Sequence, residues 1–299
     1  MRIRTSLFLH ILITFFGTSL VVAQIPAGKV IEGKSMISKI SGKEVKYSIY
    51  LPPDYATSER RYPVVFLLHG YSDSETAWVQ FGNVNQTADK AIASGDITPM
   101  IIVMPDGGVS WYINDFQNKN KFQDVFIKEF IPFIDANYRT RAVKEYRAIA
   151  GLSMGGYGSL INSLKYPEMF SACAALSAAV FTDQEILDLP TQDYNRYFSG
   201  IYGPDQLAGS ARLSEHWKNN AVLYLVNTAS KEQLEKVRWY IDCGDWDFLT
   251  VGNAMLHITL KNKNVYHEYR ARDGFHNWAY WRSGIGDALK FITLGFDRR

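Results

Sequence analysis

Gly151-Leu152-Ser153-Met154-Gly155 restricts this chain more than any other stretch. A G-x-S-x-G pentapeptide reverses the backbone so sharply between a strand and a helix that only glycine fits two positions either side of the serine. The turn lifts the serine hydroxyl out of the fold, and a base must then take its proton. Where the turn serves catalysis, its partners follow in the order serine, carboxylate, histidine. The apolar run Tyr146 to Leu152 leads into it and the amphipathic stretch Gly155 to Tyr166 leads out, which is the strand-turn-helix context required. Ser153 is therefore the expected nucleophile, against a structural Gly-rich turn.

The start of the chain sets the compartment. Met1-Arg2-Ile3-Arg4 is basic, Leu7 to Val22 is almost free of charge, and Val21-Val22-Ala23 offers small or β-branched residues before Gln24. That pattern predicts a cleavable signal peptide over residues 1–23 and a secreted or periplasmic protein; an uncleaved membrane anchor is the alternative. No cysteine lies near the cleavage point to carry a lipid, and nothing after residue 24 is apolar for long enough to span a membrane. Loss of Arg2 and Arg4 leaves thirty basic and thirty acidic residues. A neutral chain without a basic patch is a poor nucleic-acid partner. The two cysteines, Cys173 and Cys243, each lie in an apolar run, so buried free thiols are expected. With no C-x-x-C and no H-E-x-x-H, neither a metal site nor a cofactor is expected. Oligomeric state is not legible.

Residues 24–299 suit one α/β domain. Strands are predicted at Val45 to Leu51, Pro63 to Leu68, Met100 to Met104, Tyr146 to Leu152, Phe170 to Leu176, Val237 to Asp242 and Val265 to Arg270. Helical patterns fall at Gln86 to Ser94, Phe122 to Tyr138, Gly155 to Tyr166, Leu249 to Lys261 and Trp278 to Leu294. Continuous apolar strands alternating with helices indicate a mostly parallel sheet with helices on both faces. Residues 177–236 break the alternation with polar turns and the aromatics Tyr194, Tyr197, Phe198, Tyr202 and Trp217. They read as a small insertion over the sheet's C-terminal edge, where open α/β sheets bind ligands, or else as a solvated loop with one helix, Lys231 to Lys236.

Past the expected signal, which holds His10, the base must be one of His69, His216, His257, His267 and His276. His257 falls mid-helix, His267 mid-strand and His216 in the irregular stretch. His276 lies in a loop between the last strand and the last helix, where catalytic side chains are displayed. It is the expected base. Three carboxylates compete at the end of the strand Val237 to Asp242: Asp242, still on the strand, and Asp245 and Asp247, on the loop after Gly244. Asp247 is the preferred acid, with Asp245 as the alternative; its role is to hold the imidazole and stabilise the imidazolium. Backbone N–H groups of Met154, at a helix start, and of Tyr71, after His69-Gly70, are the expected oxyanion donors. His69 is read as orienting that loop.

Five segments in order carry a resemblance: Tyr50-Leu51-Pro52-Pro53-Asp54-Tyr55, Leu67-Leu68-His69-Gly70, Gly151-Leu152-Ser153-Met154-Gly155-Gly156, Cys243-Gly244-x-x-Asp247 and Gly274-x-His276-x-Trp278. Over about residues 40–295 the chain resembles the Putative esterase (esterase D-like) family of α/β-hydrolases, which includes feruloyl and acetylxylan esterases of carbohydrate esterase family one, S-formylglutathione hydrolases, siderophore esterases and mycolyltransferases. The resemblance implies the α/β-hydrolase fold and carries the family's nucleophile, acid and base onto Ser153, Asp247 and His276, with oxyanion donors on Tyr71 and Met154. It implies no cofactor. The export signal and the pair Trp111-Tyr112 after Gly107-Gly108 resemble secreted plant-polysaccharide esterases, so removal of feruloyl or acetyl groups from xylan is the leading expectation. Trp111, Tyr112 and Trp278 are then candidate substrate-binding residues. The alternatives are an exported esterase for siderophore or other small acyl esters, an acyltransferase and, in a different class, a catalytically silent carbohydrate-binding module. The 14% aromatic content serves either a cleft or the core.

Overall fold

The computed structural model describes residues 26–296. The expected signal at residues 1–23 lies outside them. Eight strands form one sheet: β1 (Lys29–Ile37), β2 (Glu44–Leu51), β3 (Val64–Leu68), β4 (Ile101–Pro105), β5 (Arg147–Leu152), β6 (Ala172–Leu176), β7 (Arg238–Gly244) and β8 (His267–Arg272). Their order is β1-β2-β4-β3-β5-β6-β7-β8. The hairpin β1–β2 is antiparallel and joins β4 antiparallel, while all pairs from β4 through β8 are parallel.

Alternation of side chains explains the unbroken apolar runs. Val64, Phe66 and Leu68 of β3 enter one core, and Val65 and Leu67 enter the other. Helices α1 (Ala77–Gln80) and α2 (Val84–Ala93) precede β4. Then α3 (Phe122–Val125) runs through a π-turn, Phe126–Phe130, into α4 (Ile131–Asn137). The sequence predicts one helix here. Pro132 has no N–H to give Lys128 and its ring crowds that carbonyl, so the ladder widens in the turn before it. Helix α5 (Met154–Lys165) follows the pentapeptide and stops before Pro167. At the end, α11 (Thr250–Asn262) lies between β7 and β8, and α12 (Trp278–Phe296) closes the face formed with α2. No helix among the described residues is long and apolar enough to cross a membrane.

Between β6 and β7 lie α6 (Asp183–Asp188), α7 (Thr191–Tyr197), α8 (Glu215–Lys218), α9 (Val222–Thr228) and α10 (Lys231–Leu234). Thr182 with Glu185, and Ser230 with Gln233, close reciprocal capping boxes that start α6 and α10. The solvated-loop alternative for residues 177–236 is therefore set aside. Tyr194, Phe198, Tyr202 and Trp217 are buried against one another, with Tyr194 and Phe198 stacked and Tyr202 5.1 Å from Trp217. Arg212, also buried, donates to the carbonyls of Ile186, Leu189 and Leu207, satisfying groups the short helices leave open. The segment sits over the C-terminal edge.

That edge is level. One row of partners runs Leu68, Gly151, Ala175, Ile241, Tyr269 across β3, β5, β6, β7 and β8. The loops leaving β3, β5, β7 and β8 therefore open on the same side. Cys173 and Cys243 are buried free thiols; burial pushes the Cys173 pKa up to about 12 and also raises that of Cys243.

Candidate active site

Ser153 stands between β5 and α5 at φ 52°, ψ −119°, a region costly for any residue with a Cβ. Close packing imposes it. A Cβ on Gly151 would lie 2.4 Å from the Gly155 carbonyl, and one on Gly155 would lie 2.4 Å from the Leu68 carbonyl. Ser153 N–H donates to Leu176 O at 3.0 Å, and its carbonyl accepts from Tyr157 and Ala179. The side chain is what remains free to react.

The loop after β8 brings His276 to it. Ser153 Oγ–H donates to His276 Nε2 at 2.9 Å. On the other side of the ring, His276 Nδ1–H donates to Asp247 Oδ2 at 2.8 Å and lies 3.0 Å from Oδ1. A carboxylate only accepts, so it fixes the tautomer that leaves Nε2 ready for a proton. Asp247 is buried and its Oδ1 takes a further bond from Leu249 N–H at 2.9 Å. The alternative acid, Asp245, faces solvent and accepts from Gly274 N–H. Asp242 is buried below the edge with Arg272, Tyr240 and Tyr280. Neither reaches the imidazole.

Two aromatic rings also pack on the imidazole. Phe248 lies 4.5 Å from it, centroid to centroid, and Trp281 meets it edge-on at 4.9 Å. Sequence reading missed both. Their signals were faint: Phe248 directly follows the acid, and Trp281 follows Trp278 at helical spacing.

His69 is buried and locked. Its Nδ1–H donates to Gly70 O at 2.8 Å, its Nε2 accepts from Gly107 N–H at 2.9 Å, and its own N–H donates to Tyr112 Oη at 3.0 Å. This holds the loop after β3 against the pentapeptide, where a Cβ on Gly70 would lie 3.7 Å from Ser153 Cβ. No acceptor among the described residues takes the N–H of Tyr71 or of Met154. Two donors without partners beside a serine hydroxyl suit a developing oxyanion. The other histidines among the described residues lie elsewhere: His257 and His267 bond each other at 2.8 Å, and His216 packs on Tyr202.

A cavity of about 620 Å³ opens over Ser153 and His276. Trp111, Phe181, Tyr197, Phe198, Trp278 and Trp281 supply most of its aromatic wall. Trp111 and Trp278 thus lie where sequence reading expects substrate contacts. Tyr112 does not: it is fully buried, faces away from the cleft and hydrogen-bonds the His69 backbone. Trp111 and Tyr112 both adopt left-handed φ, 56° and 57°, and this turn sends adjacent rings to opposite sides of the loop. Asp73 and Asp193 add carboxylates to the wall, and no Lys or Arg among the described residues lines it. Burial raises the Asp73 pKa. No group of three or more His, Cys, Asp or Glu side chains among the described residues is placed to hold a metal ion.

The Putative esterase family matches residues 38–292, and the chain belongs to that family. An endo-1,4-beta-xylanase/feruloyl esterase of Xylanibacter ruminicola is 38% identical over 162 residues, which make up 50% of this chain but only 22% of that larger protein. An acetyl esterase of Caldicellulosiruptor saccharolyticus is 28% identical over 236 residues, covering 77% of this chain and 82% of the relative. The solved structure of a ferulic acid esterase matches with a TM-score of 0.77 at 32% identity, covering 90% of this chain and 99% of that one. The fold is that of the α/β-hydrolases, and the protein is a serine carboxylic-ester hydrolase rather than a silent binding module.

Proposed function

We propose that Ser153, His276 and Asp247 form the catalytic triad of an exported esterase that removes feruloyl groups from plant polysaccharide through an acyl-enzyme. The observation that carries the triad is the unbroken line of hydrogen bonds from Ser153 Oγ through His276 to Asp247. Ser153 Oγ attacks the ester carbonyl carbon as His276 Nε2 takes its proton. Tyr71 and Met154 N–H groups receive the charge that develops on the carbonyl oxygen. The tetrahedral species collapses, and His276 returns the proton to the departing alcohol. Water then attacks the acyl-enzyme by the same route, releasing the acid. No metal or organic cofactor takes part in this scheme.

The feruloyl reading is supported by the aromatic wall and by the likeness to a ferulic acid esterase. A flat phenolic ring buried among these side chains gains about 1.5–3 kcal/mol over its exposed state, or about ten- to a hundredfold in kcat/KM. Methyl ferulate is therefore expected to exceed methyl acetate by that factor in ester-hydrolysis assays. Equal rates would instead favour acetyl removal, as the likeness to an acetyl esterase allows.

Export rests on the basic, apolar and small-residue succession over residues 1–23. Expression of the full chain in a bacterial host is expected to yield a periplasmic or secreted product beginning at Gln24, read by N-terminal mass spectrometry. Retention of Met1 on a membrane-bound product would overturn it.

A further inference from the structure

Three large rings around the His276 side of the cleft are left in solvent. Trp246 is 72% exposed, Phe248 69% and Phe275 58%. They belong to two loops that are laced together: Trp246 N–H donates to Gly274 O at 3.1 Å, Asp245 N–H to Arg272 O, and Gly274 N–H to Asp245 Oδ1. Phe248, two residues after Trp246, lies at the cleft and touches His276. Leaving rings of this size uncovered forgoes hydrophobic stabilisation, so such a cluster marks a contact surface.

The neighbouring charges select the partner. Asp245 and Asp273 are exposed beside the rings; residues 244–251 and 273–281 contain no Lys or Arg, and of the flanking arginines Arg272 is paired with the buried Asp242 while Arg282 donates to Phe81 O. That composition repels an anionic lipid surface. It suits a neutral, hydroxyl-rich chain, whose C–H faces stack on aromatic rings while its hydroxyls donate to carboxylates. We infer that Trp246, Phe248 and Phe275 form a platform for the saccharide chain that carries the ester, continuous with the leaving-alcohol side of the cleft. The aromatic wall around Trp111 then takes the acyl group, and the platform takes the polymer. This inference rests on the polysaccharide-ester reading.

The test separates the two. Electrophoretic mobility of the wild-type protein in gels containing de-esterified arabinoxylan reports platform binding without any acyl group. Hydrolysis of p-nitrophenyl acetate and methyl ferulate reports the cleft alone. Wild type is expected to be retarded by arabinoxylan. Trp246→Ala and Phe275→Ala are each expected to weaken that retardation by about tenfold in apparent affinity, with kcat/KM on both small esters within twofold of wild type. On feruloylated arabinoxylan the same variants are expected to raise KM and leave kcat unchanged. Wild type that migrates freely through arabinoxylan overturns the platform, whatever its activity on methyl ferulate. So does equal retardation of wild type and a Trp246→Ala, Phe275→Ala double variant, or Trp246-dependent adsorption to phosphatidylcholine vesicles in place of the polymer.

Discussion

Ser153→Ala is expected to lower kcat by about six orders of magnitude while leaving KM near its wild-type value. The methyl group that replaces the hydroxyl removes the attacking atom and disturbs little else. Ser153 is held by its backbone, through Leu176, Tyr157 and Ala179, so the elbow keeps its shape. The Tyr71 and Met154 N–H groups proposed as oxyanion donors and the aromatic wall remain, and a residual rate about 10³–10⁴ above the uncatalysed reaction is expected. His276→Ala is expected to fall as far, and the double variant no further, because the two residues act as a unit. Asp247→Asn is expected to cost about 10⁴ by presenting an N–H to Nδ1 and turning the imidazole to the wrong tautomer. Single-turnover hydrolysis of p-nitrophenyl acetate measures all of these. A Ser153→Ala enzyme retaining more than about one per cent of wild-type kcat would remove Ser153 from the mechanism.

The largest expected loss of stability comes from a different aspartate. Asp242 is fully buried near the end of β7 and accepts from four donor atoms on three residues. Arg272 reaches it through Nε at 3.1 Å and through a second nitrogen at 3.2 Å; Tyr240 Oη lies at 3.1 Å and Tyr280 Oη also donates. Burial followed by the adjoining carboxylate keeps both phenols protonated as donors, well above their ordinary pKa. Asp242→Ala strands a guanidinium and two hydroxyls at the junction of β7, β8 and α12. Breaking such a pair from one side costs about 3–5 kcal/mol. For a domain of this size that corresponds to a fall in Tm of about 6–20 °C. Calorimetry or thermal melts of Asp242→Ala beside Asp245→Ala give the comparison, since the exposed Asp245 is expected to shift Tm by only a degree or two. A melt of Asp242→Ala within that smaller range would show that the cluster contributes little.

These two aspartates illustrate what the sequence encodes legibly. The choice of Asp247 over Asp242 followed from position: one lies past the strand end and the other within it. β3, β5, β6 and β7 were legible because both faces are buried, which forces continuous apolar runs. β1 was not, because it is the outer edge strand and most of its side chains face water, leaving Lys, Glu and Gly in its sequence. The five helices of residues 177–236 are each too short to show helical periodicity. They are fixed by capping boxes, by Arg212 and by aromatic contacts made across the chain. Tyr112 was misjudged for a related reason. Its neighbour Trp111 does reach the cleft, and only the left-handed turn at both residues, invisible in composition, parts them.

That turn also makes the insertion a poor candidate for exchange between relatives. Trp111 Nε1–H donates to Tyr197 O at 2.9 Å and its ring stacks on Phe198 at 5.1 Å, while Tyr112 grips the backbone of His69. Tyr71 Oη–H donates to Arg196 O, and Tyr157 Oη–H to Asn220 O. Residues 177–236 are thus moored to the two loops and the helix that surround Ser153. A chimera carrying another enzyme's version of this segment inherits rings shaped against a different loop at 107–112. Recombination designs for new ester preferences must move both segments together, with Tyr71 and Tyr157 matched to their new carbonyl partners, or the graft will reshape the loop after β3 along with the cleft wall.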